Sequence, residues 1–173
     1  MPSPIGHALG GIAAGWLVQP HPSGPSTATT RGATIVFAAL GMAPDLDLLA
    51  GPHRGPSHSI GAAALIGLVA WVAVRRSPSS ARLGLACAAA YGSHVLLDWL
   101  GSDSSPPLGL VALWPFSNAH YQAPWPVFLS VSRRFHQPQL FWIPNLLALA
   151  VELLVLVPAV SLAAYIRRAP PAR

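Results

Sequence analysis

FWIPNLLALAVELLVLVPAVSLAAYI, residues 141–166, carries a single acid, Glu152, and no base. It is the one stretch long enough by itself to cross ~30 Å of hydrocarbon, which takes about 20 residues at ~1.5 Å each. Four shorter apolar stretches precede it: Ile5 to Val18, Gly32 to Ala43, Ser59 to Val74 and Leu83 to Leu100, separated by Pro, Gly, Ser and charge. Two architectures compete: a soluble helical core with one anchor, or a bundle of short spans whose ends are polar because they carry a site. Charged residues are 9% of the chain, against roughly 25% in ordinary soluble domains, and mean hydropathy is +0.50. A core this poor in charge leaves no soluble surface, which favours the bundle. The expectation is one all-α domain over residues 1–173: a multi-pass membrane bundle of about five helices with a long outer loop.

Residues flanking the stretches agree. Trp99 closes the fourth and Trp142 opens the fifth, while Trp16, Trp71 and Tyr165 lie near the opposite ends, as two interfacial belts would. Gly11 and Gly15 recur at helical spacing, which lets helix backbones approach closely in lipid. Every basic residue is Arg, and the +5 charge forms no stripe of the kind nucleic acid requires. Arg31, Arg75, Arg76, Arg82, Arg167, Arg168 and Arg173 fall on one side of an alternating topology, and Arg54, Arg133 and Arg134 on the other. The positive-inside rule makes the first side cytoplasmic in a plasma (inner) membrane. The first stretch lacks a basic leader and a small-residue cleavage site, so it reads as a helix rather than a removable signal. The lone Cys87 sits in an Ala-rich run, excluding disulfides and thiolate metal clusters.

On this topology His7, Asp45, Asp47, His53, His58, His94, Asp98 and Asp103 all gather at the outer ends of the helices. His94 and Asp98, one turn apart, share a helix face and can offer nitrogen and oxygen to one cation, or simply bond each other. Asp45 and Asp47 point the same way if the backbone after Pro44 is extended; one of them as a helix cap is the alternative. Ser57 is placed to cap the third helix, leaving His58 in its first turn, where the dipole disfavours imidazolium and preserves the neutral ring a metal needs. Clustered carboxylates repel, and Arg54 alone cannot balance them, whereas one or two divalent cations can. Mixed His and Asp donors suit zinc first, then manganese, iron or magnesium. More than four candidate ligands and no thiolate favour a catalytic over a structural site. Glu152 is a further ligand, a partner of a ligand, or a packing group, and Asn145 lies two turns earlier on its face. His21, His120 and His136 read as solvated loop histidines. The run Trp125 to Trp142 is an amphipathic lid or an irregular loop.

His7, Pro44-Asp45-Leu46-Asp47, the run from His53 to Ser59, His94-Val95-Leu96-Leu97-Asp98 and Leu113-Trp114-Pro115-Phe116-Ser117 together resemble the YdjM family of membrane-bound metal-dependent hydrolases. The order of His, Asp, His and HxxxD is distantly similar to zinc-dependent phospholipase C and P1-type nucleases, although those begin on a Trp ligand and position 1 here is Met. The resemblance implies a hydrolase with His7, Asp45, His53, His58, His94 and Asp98 as metal ligands. Asp47 or Asp103 is then the general base, and Arg54 the clamp for an anionic substrate. A site opening at the outer leaflet suggests a membrane lipid or a lipid-linked phosphoester. A metal-binding or metal-transporting protein without hydrolytic activity is the alternative, kept open by Glu152.

Overall fold

A computed structural model describes residues 1–19, 27–49, 53–103 and 106–168, which form five α-helices and, among these residues, no β-strand. Helix α1 spans Pro4–Val18, α2 Thr27–Met42, α3 Ile60–Ala73, α4 Ser80–Trp99 and α5 Pro138–Arg168. Each expected apolar stretch is therefore one helix. His21 and Arg173 lie outside the described residues. Two helical segments, Arg31–Leu49 and Pro138–Arg168, are long and apolar enough to cross a membrane, while α1 and α3 are apolar but only 15 and 14 residues long. The expected number of helices is present; the expected length of span is found in two of them.

Helices α1 and α4 make the central contacts of the bundle, with α2, α3 and α5 around them. Glycine makes the tightest crossing possible. A Cβ on Gly41 would lie 2.3 Å from the His7 carbonyl oxygen, and one on Gly11 would lie 2.3 Å from that of Phe37. The backbones of α1 and α2 thus touch where a side chain would hold them apart. Below this crossing Phe37, Ala86, Cys87 and Ala90 form an apolar core with Trp16 and Leu83 against it.

Beyond α4 the described residues form no helix until α5 begins at Pro138, so the Trp125 to Trp142 run is irregular over its first part and not an amphipathic helix. The segment folds back on the helix ends. Leu110 packs on Val95 of α4, and Phe128 on Leu97 of α4 and Leu156 of α5. Carbonyls of Ala112 and Trp114 accept from the amides of Ile60 and Gly61, at 2.9 and 3.2 Å, satisfying two of the unpaired donors that open α3. Asn145 fixes the other end: its Oδ1 accepts from the Ser132 amide at 2.6 Å and its Nδ2 donates to the Ser132 carbonyl at 3.1 Å. The same buried helix ends, roofed by this segment, hold the titratable residues.

Candidate metal centre

Four helix ends supply the cluster. His7 comes from the first turns of α1, and His94 and Asp98 come from the last turns of α4. Asp45 and Asp47 lie in a 3₁₀ turn, Ala43–Leu49, that continues α2. The backbone after Pro44 is helical rather than extended, so the two carboxylates do not point the same way: Asp45 faces the imidazole Nε2 atoms and Asp47 the Nδ1 atoms. His58 closes a separate 3₁₀ turn, Pro56–His58, ahead of α3. The cap of α3 is Ser59, not Ser57, because the Ser59 Oγ accepts from the Ala62 amide at 3.0 Å. Ser57 is thereby released to donate to Asp47 Oδ2 at 2.9 Å.

His7, His58 and His94 are fully buried, and Asp98 is nearly so. His58 Nε2 lies 3.5 Å from Asp45 Oδ1 and 3.6 Å from Asp98 Oδ2. His94 Nε2 lies 3.6 Å from Asp45 Oδ1 and 3.4 Å from Asp98 Oδ2. His7 Nε2 is 3.4 Å from Asp98 Oδ1, and His53 Nε2 is 3.8 Å from Asp45 Oδ1. These separations are too long for charge-assisted hydrogen bonds, which run about 2.7–2.9 Å. They do match the corners of a tetrahedron: donors held about 2.0–2.2 Å from a zinc ion stand about 3.3–3.6 Å from one another. His7 Nε2, Asp45 Oδ1, His58 Nε2, His94 Nε2 and both Asp98 oxygens are buried and make no hydrogen bond among the described residues. A divalent cation fits this donor set, and two groups, His7 with His94 and Asp98 and Asp45 with His53 and His58, are each compact enough to hold one.

Behind the donors, hydrogen bonds fix which nitrogen faces inward. His94 Nδ1 donates to the Gly41 carbonyl at 2.8 Å, so in the neutral ring the lone pair is on Nε2. His53 Nδ1 meets Asp47 Oδ1 at 2.6 Å, and His58 Nδ1 lies 3.1 Å from Ser57 Oγ and 3.2 Å from Asp47 Oδ2. Asp47 therefore orients two imidazoles. Burial holds the His53 ring below the ordinary range of a histidine, and the Asp47 carboxylate pulls the other way. Arg54 adopts φ 69°, a left-handed conformation uncommon for a residue with a side chain, and there its amide reaches Asp47 Oδ2 at 3.1 Å. The Arg54 guanidinium pairs with Asp103, whose Oδ2 also accepts from the Gly109 amide at 3.0 Å. Asp103 stands with Arg54 at a small cavity that they line with Met1, Asp98 and Ser102.

All nine residues singled out in the sequence are thus at one end of the bundle; eight meet in the cluster or directly behind it, and Asp103 is engaged by Arg54 at its edge. Sequence reasoning missed two participants. Gly41 acts through its carbonyl, which residue type does not advertise. Met1 is buried, with Sδ 2.9 Å from His53 Nε2 and 3.2 Å from Arg54 Nε, covering the cluster from the side of the cavity. Only the appearance of a residue at position 1 in the ligand sets of the likened enzymes hinted at it. His120 and His136 are exposed, as expected of loop histidines.

A family model described as YdjM inner membrane protein matches residues 1–169. No curated protein matches the chain, and no solved structure does, so the likeness to zinc-dependent phospholipase C gains no support. The match covers nearly the whole sequence, and the chain belongs to the YdjM inner membrane protein family.

Proposed function

We propose that this member of the YdjM inner membrane protein family is a metal-dependent hydrolase whose His7, Asp45, His53, His58, His94 and Asp98 hold one or two divalent cations, zinc by preference. The observation that carries the reading is the set of buried donor atoms without hydrogen-bond partners among the described residues, spaced as ligands around a common centre. Leaving such atoms unpaired costs about 1–3 kcal/mol each, more where charged, and a cation satisfies them together. When bound, the cation supplies a Lewis acid and lowers the pKa of bound water toward about 7.

The chain's own residues do the rest. Asp47 and the Gly41 carbonyl keep the lone pairs of His53, His58 and His94 turned inward, and Leu110 and Phe128 exclude bulk water above α4. Arg54, steadied by Asp103, presents a guanidinium at the cavity that reaches Asp98 and so draws an anionic group such as a phosphoryl to the donors. In this reading Asp47 and Asp103 serve chiefly to hold His53, His58 and Arg54 in place. Phe116 and Trp125 in the segment over the site are 95% and 84% exposed, which suits a surface seated among lipid headgroups. A lipid or lipid-linked phosphoester reaches such a site by lateral diffusion. Arg31, Arg75, Arg76, Arg167 and Arg168 lie at the opposite helix ends, and the positive-inside rule supports reading the site as extracytoplasmic in a multi-pass protein. The transport reading rested on Glu152 extending the polar path across the membrane, and Glu152 is instead engaged with Ser3 at the same end of the bundle.

The test is metal content of detergent-purified protein, with turnover of phosphomonoesters, phosphodiesters and acyl esters measured before and after chelation. Turnover that needs metal supports the reading. Metal-loaded protein inert toward all three classes moves it to non-enzymatic metal binding, and wild-type protein without metal removes the site altogether. Reporter fusions at Ser79 and Ala119 check the orientation, with cytoplasmic signal expected at Ser79 only.

A further inference from the structure

Among the four histidines of the cluster, three are held from behind by a bond to the second ring nitrogen. His7 is not: both its Nδ1 and its Nε2 lack a hydrogen-bond partner among the described residues. Its ring stacks on His94, centroids 3.7 Å apart and planes 18° from parallel, which leaves it able to slide. Its position is therefore set by its backbone, and His7 lies one turn from the start of α1, its amide bonded to the Ser3 carbonyl at 3.0 Å.

That start is fixed from another helix. Glu152 of α5 is fully buried, and both its oxygens are used on Ser3: Oε1 accepts from the Ser3 amide at 2.6 Å and Oε2 from the Ser3 hydroxyl at 2.5 Å. The Ser3 Oγ in turn accepts from the Gly6 amide at 3.2 Å, as the N-cap of α1. A Cβ on Gly6 would lie 2.6 Å from Glu152 Oε2, so glycine is what admits the carboxylate to the helix end. A carboxylate buried in an apolar helix is costly, and here two donors and the positive end of the α1 dipole offset that cost. Pure packing of α5 on α1 needs no charge at this position.

We propose that Glu152 is a positioning residue which, through Ser3, sets the first turn of α1 and thereby places His7 against the cation; this rests on the metal-binding reading of the site. Glu152 touches none of the donors, so it is not a ligand.

The test is a double-mutant cycle read by zinc affinity, from competition with a chromophoric chelator, and by the visible spectrum of the cobalt(II) form. Glu152→Ala weakens zinc about 10–100-fold, as loss of an outer partner does, and alters the cobalt spectrum. Ser3→Ala, a smaller change that leaves the carboxylate, gives a lesser loss in the same direction. In a His7→Ala background neither substitution weakens zinc further. Losses that multiply in the double variants overturn the proposal, because Glu152 then acts by packing rather than through His7. Unchanged affinity and spectrum in both single variants overturn it as well. Wild-type protein that binds no zinc or cobalt brings down the metal reading and this proposal together, whereas independent losses in a metal-binding protein bring down this proposal alone.

Discussion

The two halves of α4 are buried alike and are stabilised in opposite ways. In the first, Ala86, Cys87 and Ala90 lie against Phe37, and burial alone is favourable at about 25 cal/mol per Å² of apolar surface. In the second, His94 and Asp98 are just as inaccessible, yet the atoms they present to the centre have no hydrogen-bond partner among the described residues. Burial of such atoms is unfavourable by itself. On the metal-binding reading proposed above a cation offsets that cost, so that α4 runs from a self-sufficient core into one that a bound ion would complete.

The comparison breaks most sharply under substitution. His94→Ala and Asp98→Ala are expected to reduce bound metal to background and, with it, nearly all turnover, because ligands act as a unit. Cys87→Ala leaves both unchanged and costs on the order of 1 kcal/mol of stability. Chelation sharpens the same contrast in a different observable. The wild type should melt at a lower temperature without metal, since a ligand that binds only the folded state stabilises it. Asp98→Ala should melt at the same temperature with and without chelator. Equal chelator sensitivity in the two proteins would mean the cation acts elsewhere.

A smaller effect is expected one layer out. Asp47→Asn keeps an acceptor for one imidazole but removes the charge that engages His53 and, with Ser57, His58. Zinc affinity should fall about 10–100-fold without loss of the site, the usual consequence of altering a ligand's outer partner. The measurement is competition with a chelator of known affinity, and an unchanged value would show that the Ser57 hydroxyl alone suffices to orient His58.

Much of this arrangement was legible in the sequence because its signals are local. Apolar stretches announced the five helices to within a few residues, and the spacing of His94 and Asp98 announced a shared face. What was not legible depends on partners far apart in the chain or on backbone atoms. Ser57 and Ser59 are equally plausible caps by residue type, and the choice falls to Ser59 because Asp47, ten residues before Ser57, recruits its hydroxyl. Glu152 meets Ser3 across 149 positions, and the Gly41 carbonyl that orients His94 belongs to a residue with no side chain to read. Span length was legible for α1 and α3, which are short as read, and for α5, but not for Arg31–Leu49, which reaches spanning length because the turn Ala43–Leu49 continues α2. Apolarity shows that a helix is surrounded by apolar groups, and α1, central in the bundle, finds many of them in neighbouring helices instead of lipid.

The subtlest difference lies within α2, between a glycine that serves the centre and one that does not. A Cβ on Gly32 meets nothing within 4 Å, so Gly32→Ala should gain about 0.5–1 kcal/mol from reduced backbone freedom and leave metal affinity untouched. Gly41→Ala has the same intrinsic gain, but its methyl would stand 2.3 Å from the His7 carbonyl oxygen and 3.1 Å from the Gly11 Cα. Backbone cannot yield there as a flexible side chain would, so α1 and α2 must separate, at a cost of about 1–3 kcal/mol for overpacking. The separation also moves His7 on one helix and, through the carbonyl of residue 41, His94 on another. Gly41→Ala should therefore lower stability and zinc affinity together, while Gly32→Ala raises the first and spares the second. Paired thermal melts and zinc titrations of the two variants decide it. If Gly41→Ala loses stability but binds zinc as the wild type does, the α1–α2 crossing supports the fold and has no part in placing the ligands.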